Sequence, residues 1–164
     1  MPDDVRNLGS TEDEDVVVVG AGAAGLSVAG MLRRRGVDAV VLERTDHVAS
    51  SWRSRYESLR LNSARLNSTL AGYRMPRRYG RWLTRDDMIE YLEEFARRHD
   101  LRIRSGTTLT RVERKPDGRW LLHTSTGQLN ARFAVIATGH DTRPKLPDWP
   151  GRDGFTGELV HSGS

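Results

Sequence analysis

The stretch that most constrains this chain runs from Asp15 to Arg44, DVVVVGAGAAGLSVAGMLRRRGVDAVVLER. It reads as strand, glycine turn, helix, strand and a terminal acid. Val16 to Val19 form a continuous apolar run, as in a parallel strand buried on both faces. Gly20, Gly22 and Gly25 follow in G-x-G-x-x-G spacing. In such a turn the first glycine permits the tight bend and the second lets backbone approach a pyrophosphate. The third allows helix and strand to pack closely. The helix N-terminus follows, and its unpaired N–H groups and positive dipole end suit phosphate oxygens. Leu26, Ala29 and Leu32 recur at helical spacing, and Gly36 is the expected terminator. A second apolar strand, Ala39 to Leu42, leads to Glu43, about 20 residues beyond the glycines, where a carboxylate can bind ribose hydroxyls. Alone, Glu43 reads as a solvated strand end. Together with the strand, turn and helix it predicts dinucleotide binding.

Several function classes drop out on composition. The chain has 164 residues, enough for one domain, with 37% hydrophobic and 29% charged residues. No run approaches the roughly 18 apolar residues of a membrane span. The N-terminus, MPDDVRNLGSTEDED, is acidic and lacks the apolar core of a secretory signal, so a cytoplasmic location is the expectation. There are no cysteines, which excludes disulfides, thiolate metal sites and a redox dithiol. His47, His99, His123, His140 and His161 are scattered without metal-ligand spacing, so no metal site is predicted. The net charge of +4 comes mostly from arginine. No nucleic-acid recognition motif accompanies it, so the basic residues read as a solvated surface and no nucleic-acid partner is predicted.

The rest of the chain divides by pattern. Residues 1 to 13 are polar and aperiodic, and are expected to form a disordered arm ahead of one domain over 14–164. Residues 45 to 83 form a long irregular connection, with Trp52, Tyr56, Leu59, Leu61, Leu66, Leu70 and Trp82 as its expected apolar anchors. Thr84 and Asp87 make a capping-box pair at the start of a helix whose core stripe is Met88, Tyr91, Leu92 and Phe95. Leu101 to Arg104 suits a short strand. Leu109 to Arg114, Trp120 to Thr124 and Gln128 to Arg132 suit an antiparallel meander, with turns at Pro116-Asp117-Gly118 and Thr126-Gly127. Phe133 to Ala137 is again apolar and is expected as a separate strand re-entering the parallel sheet. It ends at Ala137-Thr138-Gly139, on the side where ligands of such sheets sit. Pro144, Pro147 and Pro150 then give an extended exit. The fold class is α/β: a Rossmann-like parallel sheet with helices and an antiparallel β-meander.

This order of elements resembles the FAD-binding half of two-dinucleotide flavoproteins. Four further stretches resemble the flavin-containing monooxygenase family, including the bacterial and plant enzymes near the auxin-synthesis type, which are related to Baeyer–Villiger monooxygenases. Ser51-Trp52-Arg53 is similar to that family's Gly-Gly-x-Trp-Arg segment beside FAD. Residues 56 to 76, YESLRLNSARLNSTLAGYRMP, resemble the following loop, in which Asn62 matches an asparagine placed by the isoalloxazine. Ala137-Thr138-Gly139 matches the family's Ala-Thr-Gly. Phe155 to His161 matches the F-x-G-x-x-x-H fingerprint. Ala49 and Ser50 stand where many members have two glycines, and the plant-type branch has Ala-Ser there.

The resemblance implies FAD and NADPH as cofactors, O2 as co-substrate and a small-molecule substrate with a nucleophilic or carbonyl centre. It implies one-oxygen transfer through a flavin C4a-hydroperoxide. Gly20, Gly22, Ala23, Ala24, Gly25, Glu43, Arg44, Ser51, Trp52, Arg53, Thr138 and Gly139 would then bind FAD. Arg53 would donate to the pyrophosphate, and Leu109 would lay its backbone against the adenine, although a core leucine of the meander is the plainer reading of that residue. Asn62 would be catalytic. The NADPH domain and its second glycine motif do not appear, so the sequence reads as the N-terminal part of a longer enzyme, inactive by itself. The other class of reading is a non-catalytic FAD- or NAD-binding module, or an inactive fragment of such an enzyme.

Overall fold

In the computed structural model, which describes residues 11–139, 145 and 147–161, the valine run is the centre of the sheet. Strand β1 (Glu12–Val19) leads through the glycine turn to helix α1 (Ala23–Arg33) and strand β2 (Ala39–Leu42). A four-residue helix α2 (Ser50–Arg53), a long connection and helix α3 (Arg85–Arg98) follow. The chain then makes β3 (Arg102–Arg104), β4 (Leu109–Arg114), β5 (Trp120–Thr124) and β6 (Gly127–Ile136). All six strands form one sheet in the order β3-β2-β1-β6-β5-β4. The first four in that order are parallel and β6, β5 and β4 are antiparallel.

Both sheet faces are covered, which is why the central strands are apolar on both sides. Val16, Val18 and Val41 pack under α1 and α3 with Leu26, Leu92 and Phe95. Val17, Val19, Val40 and Leu42 pack with Leu122 and Leu129 of the meander. The two helices approach closely at Gly30, where a Cβ would come within 2.6 Å of the Phe95 ring. Gly36 adopts φ +78°, as a helix terminator requires, and donates its N–H to the Arg33 carbonyl. At α3 the capping box is formed: the Thr84 hydroxyl accepts from the Asp87 N–H, and the Asp87 carboxylate accepts from the Thr84 N–H.

Three expectations need correction. Glu12 and Asp13, assigned to a disordered arm, belong to β1 and pair with Leu129 and Asn130 of β6. Their acidic side chains meet arginines: Arg104 holds Glu12 and Glu14, Arg102 holds Glu14, and Arg119 holds Asp13. Charge matching, not an apolar face, extends the strand. Residues 1–10, His140 and Pro144 lie outside the described residues. The second correction joins two strands into one. No turn separates Arg132 from Phe133, so β6 runs unbroken, pairing with β5 through Ala131 and with β1 through Ile136. Beyond Ala131 its outer edge has no strand beside it among the described residues, and Phe133 and Ile136 are exposed.

The third correction concerns the long connection. Tyr56, Leu66 and Trp82 are exposed, and the buried anchors are Met75, Tyr79 and Leu83. Polar contacts complete the attachment. The Tyr91 hydroxyl donates to the Tyr73 carbonyl at 2.6 Å and accepts from the Leu70 N–H at 2.8 Å. Arg78 bridges Glu90 and Glu94 of α3. The Tyr73 hydroxyl, with Arg78 and Arg98, holds the Glu94 carboxyl down at about 2, from an ordinary value of 4.5. A depressed carboxyl stabilises the fold above its unfolded value and loses that contribution as pH falls toward the folded one. Chemical denaturation between pH 4.5 and about 2 should therefore show a steep stability loss in the native protein and a shallower one in Glu94→Gln.

Candidate functional site

The glycine turn is held from three sides. Gly20 donates its N–H to the Leu42 carbonyl of β2 at 2.7 Å. It adopts φ +106°, and a Cβ there would meet the Ala137 carbonyl oxygen at 2.5 Å. Ala137 in turn donates to the Val19 carbonyl at 2.8 Å. The Ala137-Thr138-Gly139 exit thus abuts the first glycine, as its position beyond a parallel strand implied. Gly25 lies against the Gly20 carbonyl so tightly that an added Cβ would overlap the oxygen and stand 3.0 Å from its carbon. Gly22 differs. Its φ is −82°, and a Cβ there would meet nothing within 4 Å. Gly22 is also the N-cap of α1, and no side chain caps the helix, so the first-turn N–H groups have no side-chain acceptor among the described residues. Ala24, Thr138 and Gly139 are exposed around it.

Glu43 sits at the end of β2 with 4% exposure. Its Oε2 accepts from the Ala21 N–H at 2.9 Å, inside the glycine turn. Its Oε1 accepts from the Thr45 N–H at 3.1 Å, and the Thr45 and Ser50 hydroxyls stand 3.0 and 3.3 Å from it. Ala49, fully buried at φ +60°, donates to the Ala21 carbonyl at 3.0 Å and starts α2. The acid, the glycine turn and α2 are therefore one connected unit. The partners Thr45 and the backbone of Ala49 have no motif of their own, and only the acid was visible as a candidate.

The remaining candidates divide. Trp52 is half-buried and packs against the core under α1 and α3. Arg44 and Ser51 are exposed beside the unit. The Arg53 guanidinium is paired with Glu93 of α3. Leu109 packs in the meander core. Its segment passes close to the acid, because the Thr107 N–H donates to the Glu43 carbonyl at 2.8 Å. Asn62 is exposed on the long connection, between Leu61, whose N–H bonds to the Leu83 carbonyl, and Ser63. Two hollows, of about 350 and 630 Å³, flank α3, and neither is lined by the glycine turn. Among the described residues no helix is long and apolar enough to cross a membrane.

Comparison with known proteins gives this geometry a family. The chain is 34% identical over 148 residues to a probable indole-3-pyruvate monooxygenase, YUCCA4, of Arabidopsis thaliana, covering 89% of this chain and 36% of the relative. It is 36% identical over 149 residues to the indole-3-pyruvate monooxygenase YUCCA1 of Oryza sativa subsp. japonica, covering 89% and 37%. The chain therefore spans little more than a third of the length of these relatives. Among solved structures, a flavin-containing monooxygenase from Stenotrophomonas maltophilia superposes with a TM-score of 0.83 at 29% identity, over 90% of this chain and 44% of that one. An oxidized steroid monooxygenase bound to NADP matches at 0.75 and 32%, over 92% and 31%. A bacillithiol disulfide reductase from Staphylococcus aureus shares the fold, with a TM-score of 0.77 at 20% identity, over 83% and 41%. Residues 17–162 match the model of a family described as pyridine nucleotide-disulphide oxidoreductase. The chain belongs to that family, and within it resembles the flavin monooxygenases.

Proposed function

We propose that the chain is the FAD-binding portion of an NADPH-dependent monooxygenase that inserts one atom of O2 into a small nucleophilic or carbonyl compound. The observation that carries the reading is the contrast among the three glycines. Gly20 and Gly25 are closed against backbone, whereas Gly22 leaves open space at an uncapped helix start beside a buried acid. An anionic pyrophosphate fits the first place, and ribose hydroxyls fit the second. The monooxygenase relatives support the class of reaction.

When bound, FAD supplies the oxygen chemistry and NADPH the reducing equivalents. The chain's own residues bind and orient. Gly22, Ala23, Ala24 and Gly25 would offer backbone N–H groups to the pyrophosphate, and Glu43 would accept from the ribose. Arg44, Ser51 and Trp52 would line the dinucleotide, with Thr138 and Gly139 at the crevice and the Leu109 backbone toward the adenine. Arg53, paired with Glu93 through one guanidinium nitrogen, would offer further N–H donors to the pyrophosphate. Asn62, by resemblance, would hydrogen-bond at the flavin edge and help keep water from the reacting centre.

The test is Asn62→Ala in the full protein. FAD binding should remain at the native level, NADPH should still be consumed, and product formed per NADPH should fall severalfold, with peroxide making up the difference. Coupling equal to the native protein would remove Asn62 from the site. Failure of the native protein to consume NADPH with any amine, sulfide or ketone would remove the monooxygenase reading itself.

A further inference from the structure

Glu43 is held through both of its carboxylate oxygens, and the ties are unequal. A carboxylate offers about four acceptor sites, two on each oxygen. Oε2 uses one of its two, for the Ala21 N–H. Around Oε1 stand three donors: the Thr45 N–H, the Thr45 hydroxyl and the Ser50 hydroxyl. A hydroxyl carries one proton. That of Thr45 has two claimants, because its oxygen is 3.0 Å from Oε1 and 2.9 Å from the His47 carbonyl. Ser50 Oγ, at 3.3 Å from Oε1, has that oxygen as its acceptor. The backbone N–H groups of Ala21 and Thr45 are fixed by the glycine turn and the strand end. The Ser50 hydroxyl is thus the side-chain donor with no second acceptor competing for its proton among the described residues.

The position of that hydroxyl is itself determined. Ala49 stands before it in a left-handed conformation, φ +60° and ψ 27°, fully buried and bonded through its N–H to the Ala21 carbonyl. Ser50 then opens α2. A glycine at 50 could follow the same backbone course and would lack the hydroxyl.

We infer that Ser50 is a positioning residue for Glu43. It pins Oε1 so that the vacant acceptor site on Oε2 is presented to a hydroxyl of the adenosine ribose of the dinucleotide. The inference rests on the FAD reading above and adds a positioning residue to it. It also links the ribose end of the site to the helix that carries Trp52 and Arg53.

The experiment is a titration of the full apoprotein with FAD, followed by flavin fluorescence, for Ser50→Ala, Ser50→Gly, Ser50→Thr, Glu43→Ala and the Ser50→Ala/Glu43→Ala pair. A neutral donor to a carboxylate at this length predicts a Kd about 3–10-fold higher for Ser50→Ala and Ser50→Gly. Ser50→Thr keeps the hydroxyl and should bind within about twofold of the native protein. In the Glu43→Ala background, loss of the hydroxyl should change Kd by less than about twofold, because a residue acting through Glu43 has nothing left to position. An equal fold-change in both backgrounds would show a structural role and overturn the inference, as would a Ser50→Thr protein as weak as Ser50→Ala. If Glu43→Ala binds poorly while Ser50→Ala binds normally, the inference alone falls. If Glu43→Ala binds FAD like the native protein, the ribose reading falls with it. Should the Glu43 variants not fold, the Ala, Gly and Thr series at position 50 decides the matter by itself.

Discussion

Gly25→Ala is expected to destabilise the protein by about 3 kcal/mol, the upper part of the usual range for overpacking. The new methyl would overlap the Gly20 carbonyl, stand 3.0 Å from its carbon and reach Ala137 Cβ at 3.5 Å. Side-chain rotation cannot relieve a clash between backbone and backbone. Gly20 cannot retreat either, since it is closed against the Ala137 carbonyl and bonded to Leu42. Helix α1 must therefore lift from β1, which should lower the melting temperature by roughly 6–12 °C in a domain of this size. FAD binding should be lost too, because the helix start moves. Gly22→Ala is the control. Its methyl meets nothing in the fold, so the melting point should move by no more than about 4 °C, the cost of a poorer N-cap. Yet that methyl would fill the space assigned to the pyrophosphate, and affinity for FAD should fall. Thermal melts followed by circular dichroism, with FAD titrations on the same samples, separate the two. Equal melting points for Gly25→Ala and the native protein would contradict the interlocked turn.

Glu43→Ala should raise the Kd for FAD about 10–150-fold, equivalent to the roughly 1.5–3 kcal/mol of a hydrogen bond to a charged group. Two effects act together. The ribose loses its acceptor, and the Ala21 and Thr45 N–H groups lose theirs, so the glycine turn is less firmly held where the phosphates would lie. Titration of the apoprotein reads the sum. An unchanged Kd would make Glu43 a purely structural acid that closes β2 onto the turn.

What the sequence disclosed follows from where local pattern and tertiary structure agree. Val16 to Val19, the three glycines, Ala39 to Leu42 and the Thr84–Asp87 cap carry their signal within a few residues, and each appears where expected. The misses depend on partners far along the chain. Glu12 and Asp13 look like arm residues until Arg104 and Arg119 arrive to match them, more than 90 residues later. The break expected at Arg132 came from a change of composition, while the backbone runs on beside β1 after its pairing with β5 ends at Ala131. Tyr56, Leu66 and Trp82 are apolar but face outward, and hydrophobicity alone does not say which way an irregular segment turns. Helix α2 is too short to show a period, and its left-handed start at Ala49 carries no glycine to announce it. In the site, Glu43 was legible from its distance to the glycines. Its hydroxyl partners were not, because a serine seven residues away at the head of a four-residue helix has no spacing rule. The pair between Arg53 and Glu93 joins α2 to α3 across 40 residues of chain, which local spacing does not announce.

The central claim is that FAD occupies the first glycine turn. The direct measurement is to strip the full protein of flavin and titrate it with FAD, monitoring the visible spectrum, with NAD as competitor. The account predicts a yellow, stoichiometric complex that NAD does not displace and that Gly22→Ala weakens. A colourless protein that takes up NAD and ignores FAD would contradict it.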